Sequence, residues 1–426
     1  MSHSPRSRTA PRRVGCALLV GLVAAGGAAC GGPSGQPLSA TPYDATGQIS
    51  FSGVGGDRKA DPDKPLEVTA KGDGSRITDV TATDAAGRYV RGELSADGTR
   101  WRSTAPLAAG AHYTLRVSTE NEDGRPGRRV IGFDTAPAGK QLRVTFGPEA
   151  GTYGVGQPIT ARLSRQVEDP SARAVVERGL KVESRPAVQG VWHWVDGRTL
   201  HYRPREYWPG RATITVRSTL TGVRVGGELH GAATKPLTLH TGPRLEAIAD
   251  AGTHHMTVLR DGVAIRTIPI TTGKPGFATR NGVKVVLAKE SFVRMRGTSI
   301  GIPEGSSDSY DLPVYWATRV TWSGEYVHAA PWSVGAQGAA NVSHGCTGMS
   351  TADAQWFFNT VRVGDIVKVV GSGGATMTPF DNGFGDWNMP WEQWREGSAL
   401  AGPATGGAAG RDAGGPADTA RLRPGV

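Results

Sequence analysis

The sequence predicts a mainly β protein, built from two tandem immunoglobulin-like β-sandwiches and a third β-rich domain with one main helix. Short runs such as residues 111–119 and 128–135 alternate apolar and polar side chains between glycine-containing turns, which is typical of sandwich strands. The pattern repeats, since TLRV at 114–117 corresponds to TITV at 213–216. A clear helical signal is confined to residues 350–362.

The two sandwiches are predicted at residues 43–138 and 139–243. Their closing strands also match, because FDTAP ends the first and LHTGP ends the second. Neither sandwich contains a cluster of catalytic side chains. His193 and His201 lie on strand-like segments beside aromatic residues, where a packed or surface histidine is expected. The chemistry is therefore expected later in the chain.

Residues 1–29 are predicted to be an export signal. A positive region precedes an apolar run that is too short and too glycine-rich to span a membrane comfortably. Small residues then precede Cys30, and a flexible linker occupies residues 30–42. This arrangement resembles a bacterial lipoprotein cleavage site, which predicts a lipidated Cys30 and an extracytoplasmic protein anchored to the membrane. An ordinary signal peptide and twin-arginine export are the alternatives.

Charge and cysteine content narrow the possible functions. The formal net charge is +10, and no basic run or basic–aromatic alternation predicts nucleic-acid binding. The mild positive excess suits an anionic envelope or an ordinary solvated surface. Of the three cysteines, Cys16 lies in the signal and Cys30 is the predicted lipid site. Cys346 is left without an intramolecular partner, so its thiol is either buried and inert or reactive.

The third domain is predicted at residues 244–372. Asp261-Gly262 separates two alternating runs and predicts a hairpin. Residues 297–313 form a long polar loop, and such a loop in a compact domain is usually functional. Ser350 is positioned to cap the predicted helix.

Two further segments complete the chain. Residues 373–398 are tryptophan-rich, and Trp391 and Trp394 fall on one face of a short helix. This C-terminal segment is predicted to pack back onto the third domain. Residues 399–426 are rich in alanine, glycine and proline without periodicity, so they are predicted to be a disordered tail.

The stretch from Tyr326 to Met349 holds the candidate active site. A thiol attacks a carbonyl only as the thiolate, so Cys346 needs a neighbouring base. His328 is the candidate, since the intervening residues allow an adjacent strand and a loop. Its second ring nitrogen needs an acceptor, and the stretch contains no acidic residue. The backbone carbonyl of Ala329 or a neighbour is expected to serve.

The residues before the thiol, Ser343-His344-Gly345, offer further groups. Gly345 allows close approach of the backbone to a substrate, and the amides around Gly345 and Cys346 are predicted to bind an oxyanion. His344 is expected to orient the loop or to share in proton transfer. Zinc bound by two histidines and the cysteine is an alternative, although no second cysteine or acidic ligand lies nearby. A second alternative is that Cys346 is a buried, inert thiol.

A family signature runs through this stretch. His328, fourteen residues, and then Ser343-His344-Gly345-Cys346 resemble the signature of YkuD-type L,D-transpeptidases. The segments HAAPWSVGAQ, WATRV, STADAQWFF and GDWNMPWEQW also resemble the actinobacterial, lipid-anchored members. Those members carry two immunoglobulin-like domains before the catalytic one, so the resemblance covers nearly the whole exported chain.

The resemblance implies a role for each matching residue. Cys346 is the nucleophile, His328 is the base, and the Ala329 carbonyl is the third member. Tyr310 matches a lid tyrosine, and Met295 and Trp332 match residues that line the donor pocket. Two residues after the cysteine the family usually has Asn, and this chain has Gly348. Because the family Asn is absent, donor affinity or acceptor choice is expected to differ from that of the family, whereas the nucleophile is unaffected.

The resemblance also implies the reaction. Cys346 attacks the carbonyl after the third residue of a peptidoglycan stem tetrapeptide, D-Ala leaves, and an amine of a neighbouring stem resolves the thioester into a 3→3 cross-link. No cofactor is implied, and carbapenem-type β-lactams are expected to acylate the thiol. An L,D-carboxypeptidase that resolves the thioester with water is one alternative. A non-catalytic wall-binding module is another, from a different class.

Overall fold

A computed structural model describes residues 41–52, 59–72 and 74–401. The predicted signal peptide, the predicted lipid site Cys30 and residues 402–426 lie outside the described residues. None of the helices in the described ranges is long and apolar enough to cross a membrane. Residues 399–401, predicted as the start of the tail, are described, and the Ala399 N–H donates to buried Glu177 at 2.7 Å.

The first sandwich packs two four-stranded sheets around a core that includes Trp101, Tyr113, Leu115 and Phe133. The strands of its described part are β1 (Tyr43–Asp44), β2 (Ile49–Ser52), β3 (Glu67–Ala70), β4 (Arg76–Asp84), β5 (Gly92–Leu94), β6 (Arg100–Ser103), β7 (His112–Glu120) and β8 (Pro126–Asp134). The strand orders are β1-β8-β7-β4 and β2-β3-β6-β5.

The second sandwich has two four-stranded sheets and a small three-stranded one. Its strands are β9 (Lys140–Leu142), β10 (Val144–Gly147), β11 (Gly151–Tyr153), β12 (Ile159–Leu163), β13 (Leu180–Arg185), β14 (Gly190–Trp194), β15 (Thr199–Pro204), β16 (Thr213–Ser218), β17 (Arg224–Gly226), β18 (Leu229–Gly231) and β19 (Leu237–Thr241). The strand orders are β10-β12-β15-β14, β11-β19-β16-β13 and β17-β18-β9.

The repeat in the sequence reappears in the sheet topology. In both sandwiches a short edge strand runs parallel to the closing strand, β1 with β8 and β11 with β19. TLRV lies on β7 and TITV on β16, and each of these strands pairs antiparallel with its closing strand. The two sequence runs therefore occupy equivalent places in two copies of one sheet.

A helix in the second sandwich was not predicted. This helix, α1 (Pro170–Gly179), begins after Asp169, whose carboxylate accepts hydrogen bonds from Ser171 N and Ala172 N. An Asp N-cap followed by Pro at the first helical position is a recognised start signal. The interpretation that the helical signal is confined to residues 350–362 was therefore wrong.

The third domain contains two sheets that share a core with its main helix. Its strands are β20 (Leu245–Asp250), β21 (His255–Arg260), β22 (Val263–Pro269), β23 (Gly282–Val285), β24 (Ala288–Arg296), β25 (Asp311–Arg319), β26 (Tyr326–Ala329), β27 (Thr347–Met349) and β28 (Ile366–Val370). The strand orders are β22-β21-β20-β28-β23 and β24-β25-β26-β27. The predicted turn joins β21 to β22, with φ of 51° at Asp261 and 84° at Gly262.

The main helix supports the strand that carries His328. This helix, α2 (Thr351–Thr360), is capped by Ser350, whose hydroxyl accepts from Asp353 N at 3.1 Å. It packs against β25 and β26 and buries Ala354 and Phe357. Between β24 and β25, the segment predicted as a loop at 297–313 contains a 3₁₀ turn, Gly297–Ile300. Strand β25 begins at Asp311, so the last three residues of the predicted loop belong to a strand.

The C-terminal segment contacts the second sandwich as well as the third domain. Its short helix α3 (Trp391–Glu396) buries Trp394, whose indole N–H donates to the Val191 carbonyl on β14 at 3.0 Å. A preceding 3₁₀ turn, Asp386–Asn388, places the Asn388 side chain against the Val283 N–H on β23 at 2.7 Å. The C-terminal segment therefore packs onto the third domain, as predicted, and also onto the second sandwich, which was not predicted.

The two histidines of the second sandwich belong to this junction. His201 bonds to buried Asp386 at 2.7 Å, and His193 bonds to the Trp394 carbonyl at 2.9 Å. The Arg203 guanidinium lies 4.4 Å from the Trp394 ring centroid, a cation–π contact. Both histidines are buried, so of the two predicted placements, packed or at the surface, they have the packed one.

Candidate active site

The site is built where two short parallel strands meet. Strand β26 pairs with β27 in a register that places His328 opposite Gly348 and Val327 opposite Thr347. Cys346 directly precedes β27, so the pairing brings its backbone beside the strand that carries His328. Both side chains line the same cavity. The fold thus joins two residues that are separated by a long loop in the sequence.

The thiol of Cys346 is held by the segment that leads into β26. Its Sγ lies 3.6 Å from the Gly324 carbonyl, to which it donates, and the Tyr326 N–H donates to the sulfur. Burial raises the pKa of Cys346 to about 11, against the lowering effect of the Tyr326 amide. At rest Cys346 is therefore a protonated thiol, which would need a base before it could act as a nucleophile.

His328 is buried and carries a fixed tautomer. Its Nδ1 lies 2.7 Å from the Ala329 carbonyl. A carbonyl only accepts, so Nδ1 carries the proton and Nε2 keeps its lone pair. Burial lowers the pKa of His328, and the bond to Ala329 opposes this effect. The imidazole is therefore neutral near pH 7 and able to accept a proton.

Ser343 closes the loop that carries the thiol. Its hydroxyl donates to the Cys346 carbonyl at 2.6 Å and accepts from the Gly345 N–H at 3.1 Å. Gly345 has φ of 120°, a left-handed backbone conformation that favours glycine. The need for glycine comes from this φ value, since a Cβ would meet only ordinary contacts. The Gly345 N–H already donates to Ser343. Of the two amides predicted to bind an oxyanion, the Cys346 N–H is therefore the one that remains.

His344 contacts the loop that leads into β25. Its ring lies 4.8 Å from the Phe277 ring and 5.0 Å from the Tyr310 ring, centroid to centroid. Its Nε2 is 3.4 Å from Asp308, which also pairs with Lys274. His344 therefore joins the loop that carries Cys346 to the segment that carries Tyr310. Desolvation raises the pKa of Tyr310, and the neighbouring Cys346 raises it further.

A cavity of about 800 Å³ opens over these residues. Its lining contains all the predicted substrate-contacting positions, which are Met295, Tyr310, Trp332 and Gly348. The Trp332 ring lies 6.0 Å from the His328 ring and is half exposed. Ala329 contributes its carbonyl behind the histidine and does not line the cavity.

Gly348 has no room for a side chain. A Cβ would come within 2.9 Å of Ala330 Cβ and 3.1 Å of Thr271 Cγ2. The Gly348 amide and carbonyl both pair with Thr271, at 2.8 and 2.9 Å. Gly348 is therefore closely packed in the cavity wall near Cys346, where only a glycine fits without displacing its neighbours.

Three charged residues near the thiol were not predicted. An ion-pair cluster next to Cys346 is formed by Glu325, buried Lys284 and exposed Arg280. Lys284 lies in the alternating run GVKVV, where a lysine predicts a solvent-facing position. Glu325 carries no sequence signal, because its partners are distant in the chain. No group of three or more His, Cys, Asp or Glu residues with the arrangement of a metal site occurs within residues 41–52, 59–72 and 74–401.

Comparison with known proteins gives the family. A family described as the L,D-transpeptidase catalytic domain, YkuD, matches residues 245–369, and one described as a bacterial Ig domain matches residues 57–224. L,D-transpeptidase 2 of Mycobacterium tuberculosis is 34% identical over 397 residues, which cover 90% of this chain and 95% of that protein. L,D-transpeptidase 1 of the same species is 39% identical over 218 residues, covering 51% of this chain and 80% of that protein.

A solved LD transpeptidase in complex with imipenem is 36% identical, with a TM-score of 0.46, and covers 53% of this chain and 97% of that one. The predicted mainly β fold and the predicted acyltransferase class are confirmed. The predicted alternative of a non-catalytic binding module does not fit an enzyme family. The chain belongs to the YkuD L,D-transpeptidases and carries immunoglobulin-like domains ahead of its catalytic domain.

Proposed function

We propose that this L,D-transpeptidase forms 3→3 cross-links in peptidoglycan through a thioester on Cys346. The observation that carries the proposal is the meeting of a protonated thiol and a neutral imidazole of fixed tautomer in one cavity. The donor is a stem tetrapeptide, and the acceptor is the side-chain amine of the third residue of a neighbouring stem.

Acylation begins with proton transfer from the thiol to the imidazole. Donor binding displaces the thiol from the Gly324 carbonyl, and His328 Nε2 takes its proton. The Sγ then bonds to the carbonyl carbon after the third residue of the stem. The resulting imidazolium is stabilised by the Ala329 carbonyl at Nδ1. It returns the proton to the departing D-Ala nitrogen as the C–N bond breaks, which leaves the thioester.

The tetrahedral intermediate carries a negative oxygen that needs donors. The Cys346 N–H is the amide proposed for this purpose, since the Gly345 N–H is bonded to Ser343. The Tyr310 hydroxyl is the second proposed donor. Its raised pKa keeps it protonated, because desolvation and the neighbouring Cys346 both disfavour the phenolate.

Deacylation reverses the proton path. The acceptor amine loses a proton to His328 and attacks the thioester carbonyl, and the thiolate leaves with the proton from the imidazolium. Water in place of the amine would give a carboxypeptidase. The loop between Gly297 and Tyr310, tied to the thiol loop through Asp308 and His344, is the proposed lid that limits access of water.

The proposed location follows from the substrate. Peptidoglycan lies outside the cytoplasm, and we propose that the chain is exported and anchored by a lipid on Cys30. The two sandwiches would then serve as a stalk that holds the catalytic domain within the wall. Acid-stable palmitate labelling that is lost in Cys30→Ala would support the anchor, and labelling of both proteins or of neither would contradict it.

The cross-linking reaction is tested with purified disaccharide-tetrapeptide. The wild-type protein is expected to yield 3→3 dimers and free D-Ala, detected by liquid chromatography and mass spectrometry. Cys346→Ala should yield neither product while keeping the melting temperature within a few degrees. Tripeptide without dimer would replace the transferase with the carboxypeptidase, and no turnover by a folded wild-type protein would overturn both.

A further inference from the structure

A buried ion pair includes Glu325, which lies between the two residues whose backbone contacts the sulfur of the proposed nucleophile. Lys284, on strand β23, is completely buried, and its ammonium pairs with the carboxylate of Glu325, which is 7% exposed. Glu325 also accepts from the Arg280 backbone N–H at 3.1 Å and from its guanidinium at 3.0 Å. Removing two charges from water is costly, and apolar residues of similar volume often stabilise such a site equally well. The pair therefore suggests a purpose other than stability.

Glu325 is the central residue of the segment that holds the thiol. Its predecessor Gly324 accepts from Cys346 Sγ, and its successor Tyr326 donates to the same sulfur. The Glu325 N–H is itself fixed by Thr321 Oγ1 at 2.8 Å. With its side chain held by two cations and its backbone by a hydroxyl, the residue gives Gly324–Tyr326 little freedom to move.

We infer that the Lys284–Glu325 ion pair is a positioning element for the nucleophile, which fixes the Gly324–Tyr326 segment and sets the charge near the sulfur. Glu325 anchors the segment, and Lys284 offsets the carboxylate so that a thiolate can form beside it. Neither side chain takes part in bond making. The inference rests on the proposed role of Cys346, but its test needs no peptidoglycan substrate.

The charges around the sulfur favour this assignment. Burial is the main cause of the raised pKa of Cys346, the Glu325 carboxylate raises this pKa further, and the Lys284 ammonium lowers it. Desolvation lowers the pKa of Lys284, and the Glu325 carboxylate opposes this by favouring the charged ammonium. Besides Glu325 and Cys346, the titratable or charged side chains lining the cavity are Arg280, Tyr310, His328 and His344. Tyr326 also packs against Cys346, and its pKa is raised by burial to about 12.

The test is the pH dependence of Cys346 alkylation by iodoacetamide between pH 6 and 11, followed at the Cys346-containing peptide by mass spectrometry. Lys284→Met keeps the side-chain length and removes the charge, while Glu325 stays paired with Arg280. The alkylation profile is expected to move upward by about one pH unit, which makes alkylation at pH 8 about tenfold slower. Lys289→Met, which removes a part-buried lysine remote from the cavity, should leave the profile unchanged.

Rescue distinguishes charge from packing. In Lys284→Met/Glu325→Gln, both charges are gone and the Gln still accepts from Arg280, so the rate at pH 8 should return to within about threefold of wild type. An unchanged profile in Lys284→Met, or a double variant as slow as the single one, overturns the inference. If Lys284→Met does not fold, Lys284→Gln, which keeps a donor for Glu325, replaces it with the same expectations. If the wild-type protein forms no cross-links but Lys284→Met still shifts the alkylation profile, the result counts against the proposed function alone.

Discussion

His328 Nδ1 donates to the carbonyl of its own neighbour, Ala329, at 2.7 Å. The acceptor that orients the proposed base is therefore a main-chain carbonyl, and it is fixed by the pairing of β26 with β27. No substitution of the Ala329 side chain removes this carbonyl. A carboxylate in its place would hold a full negative charge beside a buried ring and raise the pKa of the imidazole. The backbone acceptor keeps His328 neutral and available as a base.

Replacing His328 should remove the proposed base without removing the thiol. In His328→Gln, acylation of Cys346 by meropenem is expected to slow by a factor of about 10²–10⁴. Stopped-flow absorbance of β-lactam opening measures the rate. Trp322→Gln, which changes an exposed ring outside the cavity lining, serves as the control and should acylate normally. Equal rates in His328→Gln and wild type would remove the imidazole from the mechanism.

The acid limb of the acylation rate should report the buried imidazole. Burial lowers the pKa of His328, so the neutral base persists into acid where an ordinary histidine is already protonated. The rate is expected to fall only below the usual histidine pKa of about 6.5. A pH–rate profile for meropenem acylation locates the midpoint. A midpoint above about 7 would show that the imidazole is protonated more readily than its burial predicts.

A carbapenem should form one covalent adduct on the full chain. The thiol adds to the β-lactam carbonyl, the ring C–N bond opens, and the whole inhibitor mass is retained. Intact-mass spectra of the wild-type protein with meropenem are expected to show one addition. The same spectra of Cys346→Ala should show none, although Cys16 and Cys30 remain in its sequence. An adduct that survives in Cys346→Ala would place the reactive nucleophile elsewhere.

The sequence was informative wherever one residue type has a narrow range of uses. An unpaired cysteine eighteen residues after a histidine already points to a thiol and its base, and alternating runs point to sandwich strands. Pairings across long stretches of chain are different, because no local pattern encodes them. The contact of Trp394 with Val191 and the Lys284–Glu325 pair are of this kind. Helix α1 differs from these, because its start signal, Asp169-Pro170, is local to the sequence.

Asp365 should make the protein less stable as pH rises. Burial raises the pKa of Asp365 to about 7, although the Arg362 N–H opposes this. Between its ordinary pKa of 3.8 and about 7, the folded state holds a proton that the unfolded state has lost, so stability falls as pH increases through this window. Asp365→Asn keeps the acceptor for Arg362 N at 2.8 Å and removes the charge.

The variant is expected to melt several degrees above wild type at pH 8 and close to it at about pH 3.5, which lies below this window. Thermal unfolding followed by circular dichroism measures both values. The exposed carboxylate variant Asp381→Asn should show no such pH-dependent gain. If Asp365→Asn gives the same change at both pH values, the carboxyl does not titrate in this range.

Restoring the family asparagine at Gly348 should damage this particular site. A Cβ would lie 2.9 Å from Ala330 Cβ, and 3.1 Å from Thr271 Cγ2, so Gly348→Asn forces β27 away from its neighbours. The expected loss is about 1–3 kcal/mol of stability, together with slower meropenem acylation, because Cys346 directly precedes β27. Ala330→Gly removes the closer contact, so the double variant should recover part of both losses, measured by thermal melts and acylation rates. A Gly348→Asn protein as stable and reactive as wild type would mean that Ala330 and Thr271 shift easily to admit a side chain. The lack of space would then not explain the glycine.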